Sequence, residues 1–249
     1  MSKDIFRFKQ FTIHHDRCAM KVGTDGVLLG AWGSVEGKRI LDIGTGTGLI
    51  ALMAAQRNPG AEVLGIDIDE EAVQQAKENA QSSIFNSQLS ILKQDILTFE
   101  PEKPFDAILC NPPFFTEDTL PDDKSRALAR NNKSLPFPQL IKKVASLLAN
   151  EGTFSVIIPF DLAKEIVSLC LNENLHLVSR CIVRTKANKP PRRAMLEFSD
   201  LRALKARLGA EASKKRQQTT DNRIENLCLL AEDGNRSEDY QALTKDFYL

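Results

Sequence analysis

Arg39-Ile40-Leu41-Asp42-Ile43-Gly44-Thr45-Gly46-Thr47-Gly48 is the stretch on which the rest of the chain turns. Ile40, Leu41 and Ile43 make an apolar run of strand length, and Leu49 to Arg57 resumes at helical spacing. The three alternate glycines between them suit a tight turn and weaken any regular element. Strand, glycine turn and helix in immediate succession open an α/β unit. Open α/β sheets take ligands at the carboxyl ends of their strands, where a turn without Cβ atoms lets a ligand approach the backbone. A tight turn with no ligand looks the same when taken singly, so the case depends on what surrounds it.

Outward from this stretch the rhythm repeats. Strands are predicted at Ala61 to Asp67, Leu89 to Leu92, Phe105 to Cys110, Thr153 to Ile158, Leu175 to Val183 and Ala194 to Phe198. Helices are predicted at Glu70 to Gln81, capped by Asp69, at Gln139 to Ala149 and at Asp161 to Asn172. Alternation of this kind argues for an α/β fold, a parallel sheet with helices on both faces. Ahead of it, Phe6, Phe8, Phe11 and Ile13 alternate with polar residues, as in a short strand or hairpin. Gly23-Thr24-Asp25-Gly26 reads as a turn leading into an apolar stretch that ends near Trp32. Residues 200–223 are rich in Lys, Arg, Gln, Ala and Thr, which predicts a solvated helix fading into a flexible loop. A last strand at Asn226 to Leu230 and a last helix at Glu238 to Phe247 follow.

Composition narrows the classes. A chain of 249 residues with 42% hydrophobic and 27% charged residues is ordinary for a soluble globular protein. Lys plus Arg (33) balances Asp plus Glu (33), so any surface for a polyanion must be local. The cysteines, Cys18, Cys110, Cys170, Cys181 and Cys228, are scattered with no CxxC and no His cluster. That pattern predicts free thiols in a reducing compartment and no metal site. No run is apolar enough for a signal peptide or a membrane span, so a cytoplasmic protein without membrane partners is expected.

The glycine spacing is G-x-G-x-G, not the G-x-G-x-x-G of dinucleotide sites, and Asp42 stands two residues ahead of Gly44. A carboxylate there opposes a pyrophosphate but suits an ammonium, directly or through water. S-adenosylmethionine has an amino-acid end and no phosphate, so charge favours it as the ligand of Gly44, Gly46 and Gly48. Asp67, ending the next strand, is placed to accept from both ribose hydroxyls. Asp95, past the third strand, is placed to accept from the cofactor's adenine amino group.

Asn111-Pro112-Pro113-Phe114 follows the fourth strand. Asn-Pro is a common turn, yet here it lies one strand past the cofactor loops. An amino group on an aromatic ring is a poor nucleophile because its lone pair is delocalised. Two acceptors on its two N–H bonds, the Asn111 side-chain oxygen and the Pro112 carbonyl, would draw the nitrogen toward tetrahedral geometry. Pro112 and Pro113 stiffen the segment and keep the acceptors aimed. Phe114 offers a face for a base that has left its stack. Phe115 is either core or rim.

These motifs together resemble the class I methyltransferases that act on amino groups conjugated to a π system. Phe8-Lys9-Gln10-Phe11, then His15-Asp16-Arg17-Cys18 through Lys21-Val22-Gly23-Thr24-Asp25-Gly26 to Trp32, is similar to the tRNA1(Val) adenine-37 N6-methyltransferases, as is Tyr240-Gln241-Ala242-Leu243-Thr244 through Tyr248. The resemblance implies a Rossmann-like class I fold with a mostly parallel seven-stranded sheet, S-adenosylmethionine as cofactor, and N6-methylation of adenine beside the anticodon of a tRNA. It also implies that Lys21, Thr24 and Asp25 lie against the methionine end of the cofactor. On this reading 1–249 is one domain, with 1–37 an extension packing near the cofactor and 200–223 a basic insertion longer than the family's pattern. A monomer or weak dimer is expected.

Arg184 to Arg216 carries eleven basic and three acidic residues, including Arg192 and Arg193. That excess suits a phosphate backbone, although a solvated surface has the same composition. Lys124, Arg126, Arg130 and Lys133, beyond the Asn-Pro-Pro-Phe motif, form a second candidate RNA surface. The rival readings are a protein glutamine N5-methyltransferase and an N6-adenine methyltransferase on another nucleic acid. Glutamine methyltransferases carry Asn-Pro-Pro-Tyr. Phe114 in place of Tyr, together with the N-terminal block, leans away from them.

Overall fold

The computed structural model describes residues 4–18, 21–113, 135–200 and 225–249. Phe114, Phe115, Lys124, Arg126, Arg130, Lys133 and the 201–223 stretch lie outside the described residues.

A two-stranded antiparallel ribbon, β1 (Ile5–Arg7) and β2 (Thr12–His14), leads to helix α1 (Thr24–Trp32). The rhythm then runs β3 (Arg39–Ile43), α2 (Leu49–Arg57), β4 (Glu62–Asp67), α3 (Glu70–Gln81), β5 (Leu89–Lys93) and β6 (Phe105–Cys110). It continues through α4 (Phe137–Leu147), β7 (Leu148–Pro159), α5 (Ala163–Asn172), β8 (His176–Arg184), β9 (Pro191–Ser199), β10 (Asn226–Cys228) and α6 (Glu238–Thr244).

Strands β10-β8-β9-β7-β6-β3-β4-β5 lie side by side in one sheet. Only β9 runs antiparallel to its neighbours. The expected α/β, mostly parallel sheet is present. It gains an eighth strand, because Asn226–Cys228 pairs parallel with Ile182–Arg184 at one edge.

Both faces of the central strands are covered. Ile40, Leu109 and Ile157 pack toward α1 and α2, and Leu41, Ile108 and Phe154 toward Leu140, Val144 and Ile166 of α4 and α5. Such strands read as continuous apolar runs, without alternation. Gly23-Thr24-Asp25-Gly26 proves to be the start of a helix and not a free turn: Gly23 is the N-cap of α1. From Gly26 to Trp32 every residue of α1 is buried, so the helix is apolar all round and has no stripe for a sequence pattern to detect. Its end is closed by the Arg57 guanidinium, which donates to the carbonyls of Gly30 (2.9 Å) and Gly33 (2.6 Å). A cation at that end also meets the negative pole of the helix dipole.

Candidate active site

The carboxyl ends of β3, β4, β5 and β6 converge on one edge of the sheet, and the predicted site residues come with them. Gly44, Gly46 and Gly48 have φ of 68°, 54° and 81°, a region that costs glycine nothing. A Cβ built on Gly44 would meet nothing within 4 Å, so the loop presents open backbone on that side. The loop is pinned from behind, where the Gly44 and Thr45 amides both donate to the Ile66 carbonyl at 2.9 Å. The Gly46 amide donates to Asp67 Oδ2 at 2.9 Å. The other oxygen of Asp67 takes the Asp69 amide at 3.0 Å, so this carboxylate ties the glycine loop to the turn after β4. Asp69 caps α3 by accepting from the Glu71 amide. Asp95 caps the short turn Ile96–Thr98, its Oδ1 accepting from the Leu97 amide at 2.9 Å.

Asp42 lies wholly buried beneath the loop. Its Oδ2 takes the Thr45 hydroxyl (2.6 Å) and the Ala51 amide (3.2 Å) at the start of α2. Its Oδ1 is buried without a partner among the described residues. Burial pushes this carboxyl up to about 7; the two hydrogen bonds pull it back and the Asp67 charge raises it further.

Asn111 follows β6 directly, between the buried Cys110 and the buried Pro112. Its side-chain oxygen is buried and has no partner among the described residues. A buried acceptor left unbonded costs about 1–3 kcal/mol and invites a donor. Its amide nitrogen stands 4.0 Å from where a Cβ on Gly26 would lie, so the first turn of α1 adjoins it.

That proximity brings the segment before α1 to the same edge. Asp25 pairs with Arg193 across the molecule, with Nε donating to Oδ2 at 2.8 Å. Lys21 reaches outward to Asp4 at 3.4 Å, with both side chains exposed. Asp25, Arg184, Arg192 and Arg193 line one cleft with Thr24. The described site residues therefore fall at one edge, with Arg192 and Arg193 on the strand that starts there.

Sequence reasoning missed the residues that hold the N-terminal arm in place. Asn79, buried on α3, accepts from the His14 amide and donates to the His14 and Thr47 carbonyls, each at 2.9 Å. Gln75, also buried, accepts from the Arg17 amide at 3.3 Å. Cys18 is brought close enough to Asp67 and Asp69 that burial first, and then their charges, push its thiol up to about 11. A polar Asn among Val73, Ala76 and Ala80 on the inner side of α3 was the available signal. Among the described residues no group of His, Cys, Asp and Glu is arranged to hold a metal ion, and no helix is long and apolar enough to cross a membrane.

Buried acceptors without partners at Asp42 and Asn111, open left-handed glycines at Gly44 and Gly46 and a carboxylate at the end of β4 fit a ligand with a cationic amino-acid end and a ribose. A family model described as a methyltransferase domain matches residues 34–222. A tRNA1(Val) (adenine(37)-N6)-methyltransferase from Bacteroides thetaiotaomicron is 42% identical, covering 100% of this chain and 99% of its own. One from Vibrio campbellii is 37% identical over 98% of this chain and 95% of its own. This chain belongs to that family. The tRNA1(Val) (adenine(37)-N6)-methyltransferase family resemblance seen in the N-terminal block thus extends over the full length.

The solved structures speak to the fold. A predicted O-methyltransferase from Agrobacterium tumefaciens superposes with a TM-score of 0.65 at 15% identity, covering 90% of this chain and 96% of that one. The 16S rRNA N2 G1207 methyltransferase of T. thermophilus does so with a TM-score of 0.55 at 21% identity, over 79% of this chain and 49% of that one. The fold of this family member is the Rossmann-like class I methyltransferase fold.

Proposed function

We propose that this chain methylates the N6 amino group of an adenine in tRNA, adenine 37 of tRNA1(Val), using S-adenosylmethionine. The observation that carries the reading is the Asn111 side-chain oxygen, a buried, unbonded acceptor at the end of β6 beside the glycine loop. Full-length similarity to the named family supplies the substrate.

When bound, S-adenosylmethionine supplies a methyl group on a sulfonium, which is displaced in line with a neutral leaving group. The chain's part is holding and aiming. Gly44 and Gly46 give the cofactor bare backbone, Gly48 lets the loop turn into α2 close against Ala76 of α3, and Asp67 accepts from the cofactor's ribose. Asp95 receives its adenine amino group. Thr24, Asp25 and Lys21 flank its amino-acid end, above the buried Asp42. Asn111 and the Pro112 carbonyl accept the two N–H bonds of the target amine, and Pro113 keeps the segment stiff. Phe114 stacks on the base. As the N–C bond forms, the nitrogen becomes cationic and its proton leaves to solvent, so no strong base is needed. Arg192, with Lys124, Arg126, Arg130 and Lys133, attracts the RNA backbone, while Arg193, engaged by Asp25, holds the start of α1.

The test is methyl transfer from labelled cofactor to tRNA taken from a strain lacking this gene, followed by nucleoside analysis, with wild-type protein and Asn111→Ala side by side. Labelled N6-methyladenosine is expected from the wild type. Asn111→Ala should retain cofactor affinity and lose turnover by a hundredfold or more, the scale of losing about 3 kcal/mol of aimed hydrogen bonding. Label in protein glutamine and none in tRNA would move the assignment to the rival class.

A further inference from the structure

Six large apolar side chains stay exposed among the described residues: Ile68, Ile84, Leu92, Phe160, Leu171 and Leu249. Ile84 and Leu171 sit at the end of the sheet remote from the site, before β5 and β8 begin, and Leu249 is the terminus. Leu92 lies within β5, and Ile68 follows β4 at the edge where the site lies. Phe160, 36% exposed, is at that edge too, follows the last residue of β7 and is the aromatic side chain of the set. β7 is the hydrogen-bonded neighbour of β6, with Val156 opposite Cys110, so the chain leaves β7 beside Asn111-Pro112-Pro113. From Gly152 to Ile158 every residue of β7 is buried, and exposure returns only past Pro159. No ring contact holds Phe160 among the described residues.

On its other side β7 pairs with β9, and the last registered pair is Pro159 with Arg193. The next residue outward on each chain is Phe160 on one and Arg192 on the other, and Arg192 is exposed too. An aromatic face and a guanidinium in adjoining positions are what one nucleotide requires, the ring for its base and the cation for its phosphate. Arg193, one step inward, is engaged with Asp25, so Arg192 is the cation that faces outward at this point.

We propose that Phe160 and Arg192 form a nucleotide subsite beside the catalytic motif, with Phe160 stacking on a base that flanks the target adenine and Arg192 contacting the adjoining phosphate. The subsite rests on the RNA-methylating function proposed above. It makes Phe160 a substrate-contacting residue that sets how the RNA strand is presented, without a part in aiming the target amine.

Its test uses the full-length protein, an unmodified tRNA1(Val) transcript and four forms of residue 160: wild type, Phe160→Ala, Phe160→Leu and Phe160→Tyr. Methyl-transfer KM and kcat, cofactor Kd by calorimetry and the thermal midpoint are measured for each. Stacking on one base accounts for roughly a 5- to 100-fold change on alanine substitution. Phe160→Ala should raise KM for the transcript within that range, with cofactor Kd and thermal midpoint unchanged. Phe160→Tyr should behave as wild type, because it keeps the ring face. Phe160→Leu should behave as Phe160→Ala, because it keeps apolar bulk without a face. Rescue by Leu as good as by Tyr would reduce Phe160 to apolar packing, and a KM unmoved by Ala would remove the subsite. A fall in thermal midpoint or cofactor affinity that accounts for the loss would also overturn it. A wild type that methylates no adenine in the transcript sinks the function reading and the subsite with it, whereas a working wild type matched by Phe160→Ala sinks the subsite alone.

Discussion

Asp42 is a carboxyl group placed where ionisation is costly. The unfolded chain loses this proton near the ordinary 3.8, while the folded chain keeps it to about 7. Between those values the folded state binds more protons, so rising pH favours unfolding. The stability linked to this group is complete below the ordinary value and is lost as pH climbs through about 7. Asp42→Asn keeps one carbonyl oxygen to accept from Thr45 and Ala51 and removes the charge. Its thermal midpoint should therefore fall less than the wild type's between pH 5 and pH 8, followed by circular dichroism without ligand. Parallel curves for the two proteins would mean that the carboxyl titrates normally. At this scale the placement of Asn111, Asp67 and the three glycines at strand ends was legible, because each follows or closes a short apolar run of strand length. The burial of Asp42 beneath the loop was not, since a strand covered on both faces has no polar side to mark which residue points inward. The Asp25–Arg193 pair was not legible either, because its partners stand 168 residues apart.

Elements marked by an apolar run between clear turn or cap signals were read within a residue or two. β3, α2 and β6 have the expected bounds, and α3 begins where Asp69 caps it. Where reading failed, local signals opposed tertiary packing. Gly26 and Gly30 speak against a helix, yet α1 needs the second of them. A Cβ on Gly30 would come within 2.5 Å of Met53 Sδ on α2, so the glycine sets how closely the two helices pack. The strand expected from Thr153 already begins at Leu148, with Glu151 absorbing the turn of the chain at φ 62°. The N-terminal arm is an element of this kind too, held to α3 by a side chain that no periodicity reveals. Asn79→Ala removes three hydrogen bonds and leaves the part-buried backbone groups of His14 and the buried Thr47 carbonyl without this partner. We expect a loss of about 1–3 kcal/mol in denaturant unfolding. We also expect weaker cofactor binding, because Thr47 belongs to the glycine loop. Unfolding that shifts with cofactor affinity unchanged would show that the arm stabilises the fold without shaping the site.

For the molecule as a whole, charge balance means that affinity for a polyanion has to come from where the cations sit. The chain carries 33 basic and 33 acidic residues, so its long-range field offers RNA little. What the fold does is bring a basic strand start to the edge that holds the glycine loop and Asn111. The two adjacent arginines there are not equivalent. Arg192 is exposed, whereas Arg193 is about one-third exposed and hydrogen-bonded to Asp25 at the start of α1. Their substitutions should accordingly part along two readouts. Arg192→Ala should weaken binding of any RNA alike and lower the slope of log K against log salt by about one phosphate contact, roughly 0.7–0.9. Arg193→Ala should leave that slope nearly unchanged and raise the cofactor Kd by about tenfold, the order expected when a charged hydrogen bond is lost and its partner stays part-buried. Asp25→Asn should reproduce the cofactor effect, and the double variant should be little worse than either single one, because both remove the same interaction. If Arg193→Ala instead lowers the salt slope and spares the cofactor, Arg193 serves the RNA in solution and the ion pair does not position α1. The basic edge and the cofactor pocket would then act independently. If the two effects separate as expected, one arginine recruits the RNA while its neighbour holds the helix that adjoins Asn111.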